Sequence, residues 1–137
     1  MERKKIRIAV VGVGNCASSL IQGIHYYRAR GAEECIGLLN YEVGGYRPGD
    51  IEVVAAFDID KRKVGRDVNE AVFALPNCTA VFCADLPSSG VQVSMGKILD
   101  GYSEHMANFG DDRTFLLSPE AEPTQAEVVE QLKKAGV

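Results

Sequence analysis

Gly12 and Gly14 stand directly behind a β-branched apolar run of Ile6, Ile8, Val10 and Val11, and Asn15, Cys16, Ala17, Ser18 and Ser19 follow them. Residues of these types in this order suit one task, holding a phosphate or pyrophosphate with backbone. The first glycine permits a tight turn and the second lets the chain approach the anion closely. A helix opening there points free N–H groups and the positive end of its dipole at the ligand. The match is to G-x-G-x-x-A, with Ala17 in the slot where close helix–strand packing wants a small side chain. Val13, Asn15 and Cys16 line the same loop. Asn15 adds a side-chain amide and can equally serve as a helix cap. The competing reading is an ordinary glycine-containing strand-to-helix turn, and the position behind a buried-type strand favours a nucleotide site. Asp58 completes the constellation. It follows a second apolar run, 51–57, at the strand end where such folds hold ribose. A carboxylate there accepts ribose hydroxyls and repels a 2′-phosphate, which points to NAD, although nearby Lys61 and Arg62 leave NADP open.

The elements that must position these residues follow from pattern. A strand is expected over 6–11 and a helix over about 15–30, with Leu20, Ile21, Ile24 and Tyr27 as its apolar stripe and Gly31 as its stop. Residues 31–50, with Gly37, Gly44, Gly45, Pro48 and Gly49, are too long and glycine-rich for a simple connection. They read as an inserted surface excursion in which Leu38, Leu39 and Tyr41 pack on something, another subunit being one option. The run 51–57 is mostly apolar, as in a strand covered on both faces. Asp67 and Glu70 have capping-box spacing and open a short helix reaching about Leu75, ended by Pro76-Asn77. Residues 78–83 are expected as a third strand. The stretch 84–123 commits to no single period, and Asp111-Asp112 reads as a solvated turn. Thr124 and Glu127 form a second capping box for a helix that turns Val128, Val129 and Leu132 inward. Lys133 and Lys134 suit its last turn, and Gly136 stops it.

The expected class is therefore α/β, a Rossmann-like doubly wound parallel sheet in a single domain over 1–137. Val137, a β-branched residue just past a helix-stopping glycine, reads as entry into another parallel strand. The sheet is then incomplete, and the chain is expected to be the amino-terminal piece of a longer protein. A natural terminus after a final helix is the alternative.

Composition bounds the rest. The hydrophobic fraction is 46%, the charged fraction 25% and the formal net charge −4, so neither nucleic acid nor an anionic membrane is an expected partner. Arg3-Lys4-Lys5 before apolar residues imitates a signal peptide, but Arg7 and the glycines interrupt the run. Cys16, Cys35, Cys78 and Cys83 lack zinc-type pairing, which fits reduced thiols in a cytoplasmic protein. No metal site is expected, and His25 and His105 read as ordinary helix or surface residues.

The string Val-Gly-Val-Gly-Asn-Cys-Ala-Ser-Ser-Leu-Ile-Gln-Gly (11–23), then Tyr26-Tyr27, then Val-Ala-Ala-Phe-Asp-Ile-Asp (54–60) resembles the bacterial and archaeal branch of the myo-inositol-phosphate synthase family. Lys63-Val64-Gly65 with Asp67, Leu99-Asp100-Gly101 and Ala121-Glu122-Pro123 continue the match in order. That family carries an insertion where 31–50 lies, which accounts for Asp58 lying farther from the glycines than the usual spacing of about 20 residues. The resemblance implies the cofactor half of an NAD-dependent inositol-3-phosphate synthase. In that reaction, glucose 6-phosphate is oxidised at C5, closed by an aldol step from C6 onto C1, and reduced again. The resemblance also implies a cytoplasmic homotetramer serving inositol and phospholipid biosynthesis. Gly12, Val13, Gly14, Asn15, Cys16 and Asp58 then touch the cofactor, and Asp67 either reaches the adenosine side or only caps its helix. The family's catalytic lysines and phosphate site match nothing in 1–137, so no catalytic residue is assigned here. Another NAD(P)-dependent oxidoreductase and a stand-alone nucleotide-binding module are the competing functions.

Overall fold

The computed structural model describes residues 4–137; Arg3, part of the basic start, lies outside the described residues. Three parallel strands form the sheet, β1 (Ile6–Val11), β2 (Ile51–Asp58) and β3 (Val93–Met95), in the order β1-β2-β3. The β1–β2 register slips between Ile8 and Ala9, where β2 carries Val54 as an extra residue. The slip changes which side chains share a face. Val53 and Ala56 lie with Ile8, Val10 and Val93 in one core, while Phe57 shares the other face with Val11. Among the described residues the outer edge of β1 has no partner strand.

Helices cover both faces, as a doubly wound sheet requires. Helix α1 (Asn15–Arg28) and the single-turn α2 (Val68–Ala71) bring Ala17, Ile21, Val68 and Ala71 onto the Val10–Ala56–Val93 face. Leu20, expected in the α1 stripe, is 43% exposed. The buried stripe contains Ser18 and Gln22 instead, because these polar side chains find partners that leucine could not use. Gln22 Nε2 donates to Ser18 Oγ, and its Oε1 accepts from the N–H groups of Phe82 and Cys83. Helix α1 stops at Arg28, two residues before the expected end.

Helix α3 (Gln125–Ala135) lies over the opposite face. The expected capping box is present: Thr124 Oγ1 accepts from the Glu127 N–H, and Glu127 Oε2 accepts from the Thr124 N–H at 2.7 Å. Gly136 closes the helix in the left-handed conformation at φ 71°, donating to the carbonyls of Leu132 and Lys133. Val128 and Leu132 turn toward Val11 and Phe57, but Val129 is exposed and no residue of α3 is buried. An inward Val129 is thus corrected: Val128 and Leu132 line the cavity over the sheet, whereas Val129 lies on another side of the helix with Gln125, Glu130 and Lys133.

Residues 78–83 are not the third strand. Their backbone donors go to α1 side chains: Asn15 Oδ1 takes the N–H groups of Cys78 and Thr79, and Gln22 takes those of Phe82 and Cys83. A segment whose N–H groups are already used this way has no ladder to join. The strand lies farther on, at Val93–Met95. The helix expected to reach about Leu75 also shortens to α2, and tight turns carry the chain on through Ala74.

The excursion 31–50 holds two 3-10 turns, Ala32–Glu34 and Pro48–Asp50, and folds back on α1. Tyr27 Oη donates to the Ile36 carbonyl and Tyr41 Oη to the Arg30 carbonyl. Leu38 is half-buried, whereas Leu39 is 97% exposed.

Candidate functional site at the carboxyl ends of the strands

The turn after β1 is held from several directions. Gly12 takes φ 89°, a conformation that a Cβ strongly disfavours, and donates its N–H to the Phe57 carbonyl at 2.8 Å. The next peptide is tied to β2, with the Val13 N–H donating to Asp58 Oδ2 at 2.7 Å. The Val13 side chain is fully buried and anchors the turn in the core. Gly14 then forms the N-cap of α1, and no side chain caps this helix. Its first N–H groups, from Asn15 onward, have no intrahelical acceptor and stand ready for an anion. A Cβ built on Gly14 meets no atom within 4 Å. The glycine therefore leaves open space for something other than the protein itself.

That space belongs to a cavity of about 490 Å³ spanning the carboxyl ends of all three strands. Gly12 and Gly14 line it after β1, Asp58 and Ile59 after β2, and Gly96, Lys97, Ile98 and Leu99 after β3; Val128 and Leu132 close it from α3. Ligands of doubly wound sheets sit in this place, and the volume lies within the range of small-molecule sites. Its walls are chiefly apolar with a few polar groups at the strand ends, the balance that such sites show.

The expected site residues separate into three groups. Gly12, Val13, Gly14 and Asp58 come together. Asp58 is 7% exposed, and its Oδ1 accepts the N–H groups of Ile59 and Asp60 at 2.7 and 2.8 Å. With the Val13 bond, three of roughly four acceptor positions on the carboxylate are taken, leaving room for one hydroxyl rather than two. Asn15 and Cys16 open the helix, but the Asn15 side chain turns away to bind Cys78 and Thr79, and Cys16 is exposed. The backbone of both residues remains at the helix mouth.

Asp67 lies elsewhere and does not line the cavity. Its carboxylate accepts from the Asn69, Ser89 and Gly90 N–H groups and from both the Ser88 and Ser89 hydroxyls. Burial alone would raise its pKa; the bonds from Asn69, Ser89 and Ser88 outweigh that and draw it down to about 2. Asp67 caps α2 and pins the 88–90 loop that delivers the chain to β3.

Sequence reading missed the layer beneath the turn. Lys63 is fully buried, and its Nζ donates to the Val13 carbonyl and to Asn77 Oδ1, each at 2.8 Å. Asn77 Nδ2 donates to the same Val13 carbonyl at 3.1 Å and to the Val72 carbonyl at 2.9 Å. Burial pushes the Lys63 pKa down, against the opposing pull of Asp58 and Asp60. Buried Asp60 forms an ion pair with Arg62 at 2.6 Å, and the guanidinium also reaches the carbonyls of Asp111 and Thr114. Desolvation would raise the Asp60 pKa, but the Arg62 bonds lower it on balance. The only visible signal for Lys63 was its place beside Val64-Gly65; a lysine in a charged run reads as solvated until the fold encloses it.

His25 sits toward the start of β2 among Ile51, Glu52 and Asn69, away from the turn, with its pKa lowered by burial and then by Arg28. Among the described residues no group of three or more His, Cys, Asp or Glu side chains is placed to hold a metal ion. Among the described residues no helix is long and apolar enough to cross a membrane.

No family model matches the chain. It is 47% identical over 115 residues to the inositol-3-phosphate synthase of Corynebacterium glutamicum, covering 83% of this chain and 31% of that one. It is 45% identical over 134 residues to the inositol-3-phosphate synthase of Mycolicibacterium smegmatis, covering 97% of this chain and 34% of that one. A crystal structure of Ari2 superposes with a TM-score of 0.71 at 30% identity, over 96% of this chain and 36% of the other. The chain spans about a third of the length of the curated relatives it matches. Over nearly its whole length, this chain is a relative of the inositol-3-phosphate synthases.

Proposed function

We propose that this chain is the NAD-binding portion of an inositol-3-phosphate synthase, an enzyme that converts glucose 6-phosphate to 1D-myo-inositol 3-phosphate. One observation carries the cofactor reading: a glycine turn held to Asp58 at the head of an uncapped helix, opening on a cavity at the strand ends. NAD bound there supplies reversible oxidation of a secondary alcohol. The chain's own part is to bind and orient. Gly14 gives the pyrophosphate its approach, the Asn15 and Cys16 N–H groups receive its charge, and the last acceptor position on Asp58 takes a ribose hydroxyl. Asp67 supports β3 from outside this contact set.

Preference for NAD over NADP has a physical basis beyond the Asp58 charge. Of the two cations near this strand end, Arg62 is spent on Asp60 and on the carbonyls of Asp111 and Thr114, which leaves exposed Lys61 alone to receive a 2′-phosphate. The proposed reaction is redox-neutral overall, so the cofactor must stay bound through oxidation, ring closure and reduction. A turn clamped through two successive peptides suits that demand.

The test is calorimetry followed by turnover. NAD should bind more tightly than NADP. The complete gene product given glucose 6-phosphate and NAD should form inositol phosphate with no steady accumulation of NADH, and residues 1–137 alone should form none. Steady NADH build-up would replace this reading with an ordinary NAD-dependent oxidoreductase. Equal affinity for the two dinucleotides would remove Asp58 from the ribose role.

A further inference from the structure

We propose that Lys63 is a positioning residue for the anion-binding turn, acting through the Val13 carbonyl; the proposal rests on the dinucleotide reading of that turn. Lysine is almost never fully buried without a charged partner, because taking an ammonium out of water is costly. Here both direct acceptors of the Lys63 ammonium are neutral, the Val13 carbonyl and the Asn77 amide oxygen. The Val13 carbonyl does not need the lysine for satisfaction, since Asn77 Nδ2 already donates to it. The Asp58 and Asp60 carboxylates attract the ammonium through charge, while its two hydrogen bonds go to the turn and to Asn77.

The geometry shows what the ammonium adds. A trans peptide is planar, so its C=O and N–H point in opposite directions. Lys63 and Asn77 hold the Val13 carbonyl inward, and the Gly14 N–H of the same peptide is thereby aimed outward. The preceding peptide is fixed from the other side, with its Val13 N–H held by Asp58. Two successive peptides of the turn are thus clamped, one by a carboxylate and one by an ammonium.

The experiment uses the complete gene product and three ligands: NAD, ADP-ribose and adenosine. In Lys63→Met, affinity for NAD and ADP-ribose should fall at least about tenfold while affinity for adenosine, which has no phosphate, stays within about twofold. Circular dichroism and a cooperative melt establish that the variant is folded. Uniform loss across all three ligands would make Lys63 a general packing residue and overturn the proposal, as would unchanged NAD affinity. Wild-type protein that binds no NAD would instead overturn the dinucleotide reading. If Lys63→Met does not fold, Asn77→Asp decides. It places a negative charge against the ammonium and removes the second donor to the Val13 carbonyl, so it should show the same phosphate-selective loss. Wild-type affinity for NAD and ADP-ribose in that variant would refute the role.

Discussion

Asp58→Asn is nearly isosteric, and the structure says which bond it breaks. Oδ1 accepts two backbone N–H groups and Oδ2 accepts one, from Val13. The amide has a single oxygen, which does best where it serves two donors. Its NH2 then faces the Val13 N–H, donor against donor. One buried N–H left unsatisfied costs about 1–3 kcal/mol. The two surviving bonds lose their ionic character, and charge-assisted bonds are about twice as strong as neutral ones, so roughly another 1 kcal/mol goes. The total is about 2–4 kcal/mol, a large share of the roughly 5–15 kcal/mol that stabilises a typical domain. At this chain length each kcal/mol moves the melting temperature by about 3–5 °C, so a fall of about 10 °C is expected by circular dichroism. Dinucleotide affinity should fall with it, because the released turn no longer presents its N–H groups together. A variant that melts within about 2 °C of wild type would show that Asp58 does not hold the turn.

Other substitutions isolate other steps. Gly14→Val should abolish NAD binding in calorimetry while leaving helix content and melting temperature close to wild type, since a Cβ there meets no protein atom within 4 Å; retained binding would displace the ligand from the turn. The pKa of Asp67 is depressed from 3.8 to about 2, so its stabilisation is complete above about pH 4 and disappears as pH falls toward 2. After allowance for solvent screening, on the order of 1–2 kcal/mol is involved. Asp67→Asn should remove that acid-side dependence from urea midpoints measured between pH 5 and pH 2, and an unchanged slope would refute the assignment. Val11 at 80% and Leu99 at 78% exposure, together with a β1 edge that has no partner strand among the described residues, predict self-association or apolar-dye binding of 1–137 produced alone. Sedimentation showing a clean monomer that ignores the dye would argue otherwise.

Local signals in this sequence are strong where one short segment carries the whole interaction. The Gly12–Gly14 turn, the Thr124–Glu127 capping box and the Gly136 stop depend on residues within a few positions of one another, and each was legible before any fold was known. The apolar runs of β1 and β2 were equally plain, because a short β-branched run bounded by turn residues can be read without any distant residue. The same logic explains the failures. Residues 78–83 look like a strand by composition, yet Asn15 and Gln22, some sixty positions earlier, take their N–H groups. Leu20 looks like core and Gln22 like surface, but the partner waiting for Gln22 on the loop reverses them. Val129 belongs to an apolar stripe and remains exposed because only Val128 and Leu132 of that stripe face the strand ends. Lys63 reads as one more charge in Asp-Lys-Arg-Lys and is enclosed only when the glycine turn and Asn77 converge on it. What the chain alone determined was the type of turn and the type of layer, since both follow from short-range sterics and periodicity. Only the tertiary structure decided which side chains hold that turn in place, because a buried hydrogen bond is worth making only when packing has removed the water that would otherwise compete for it.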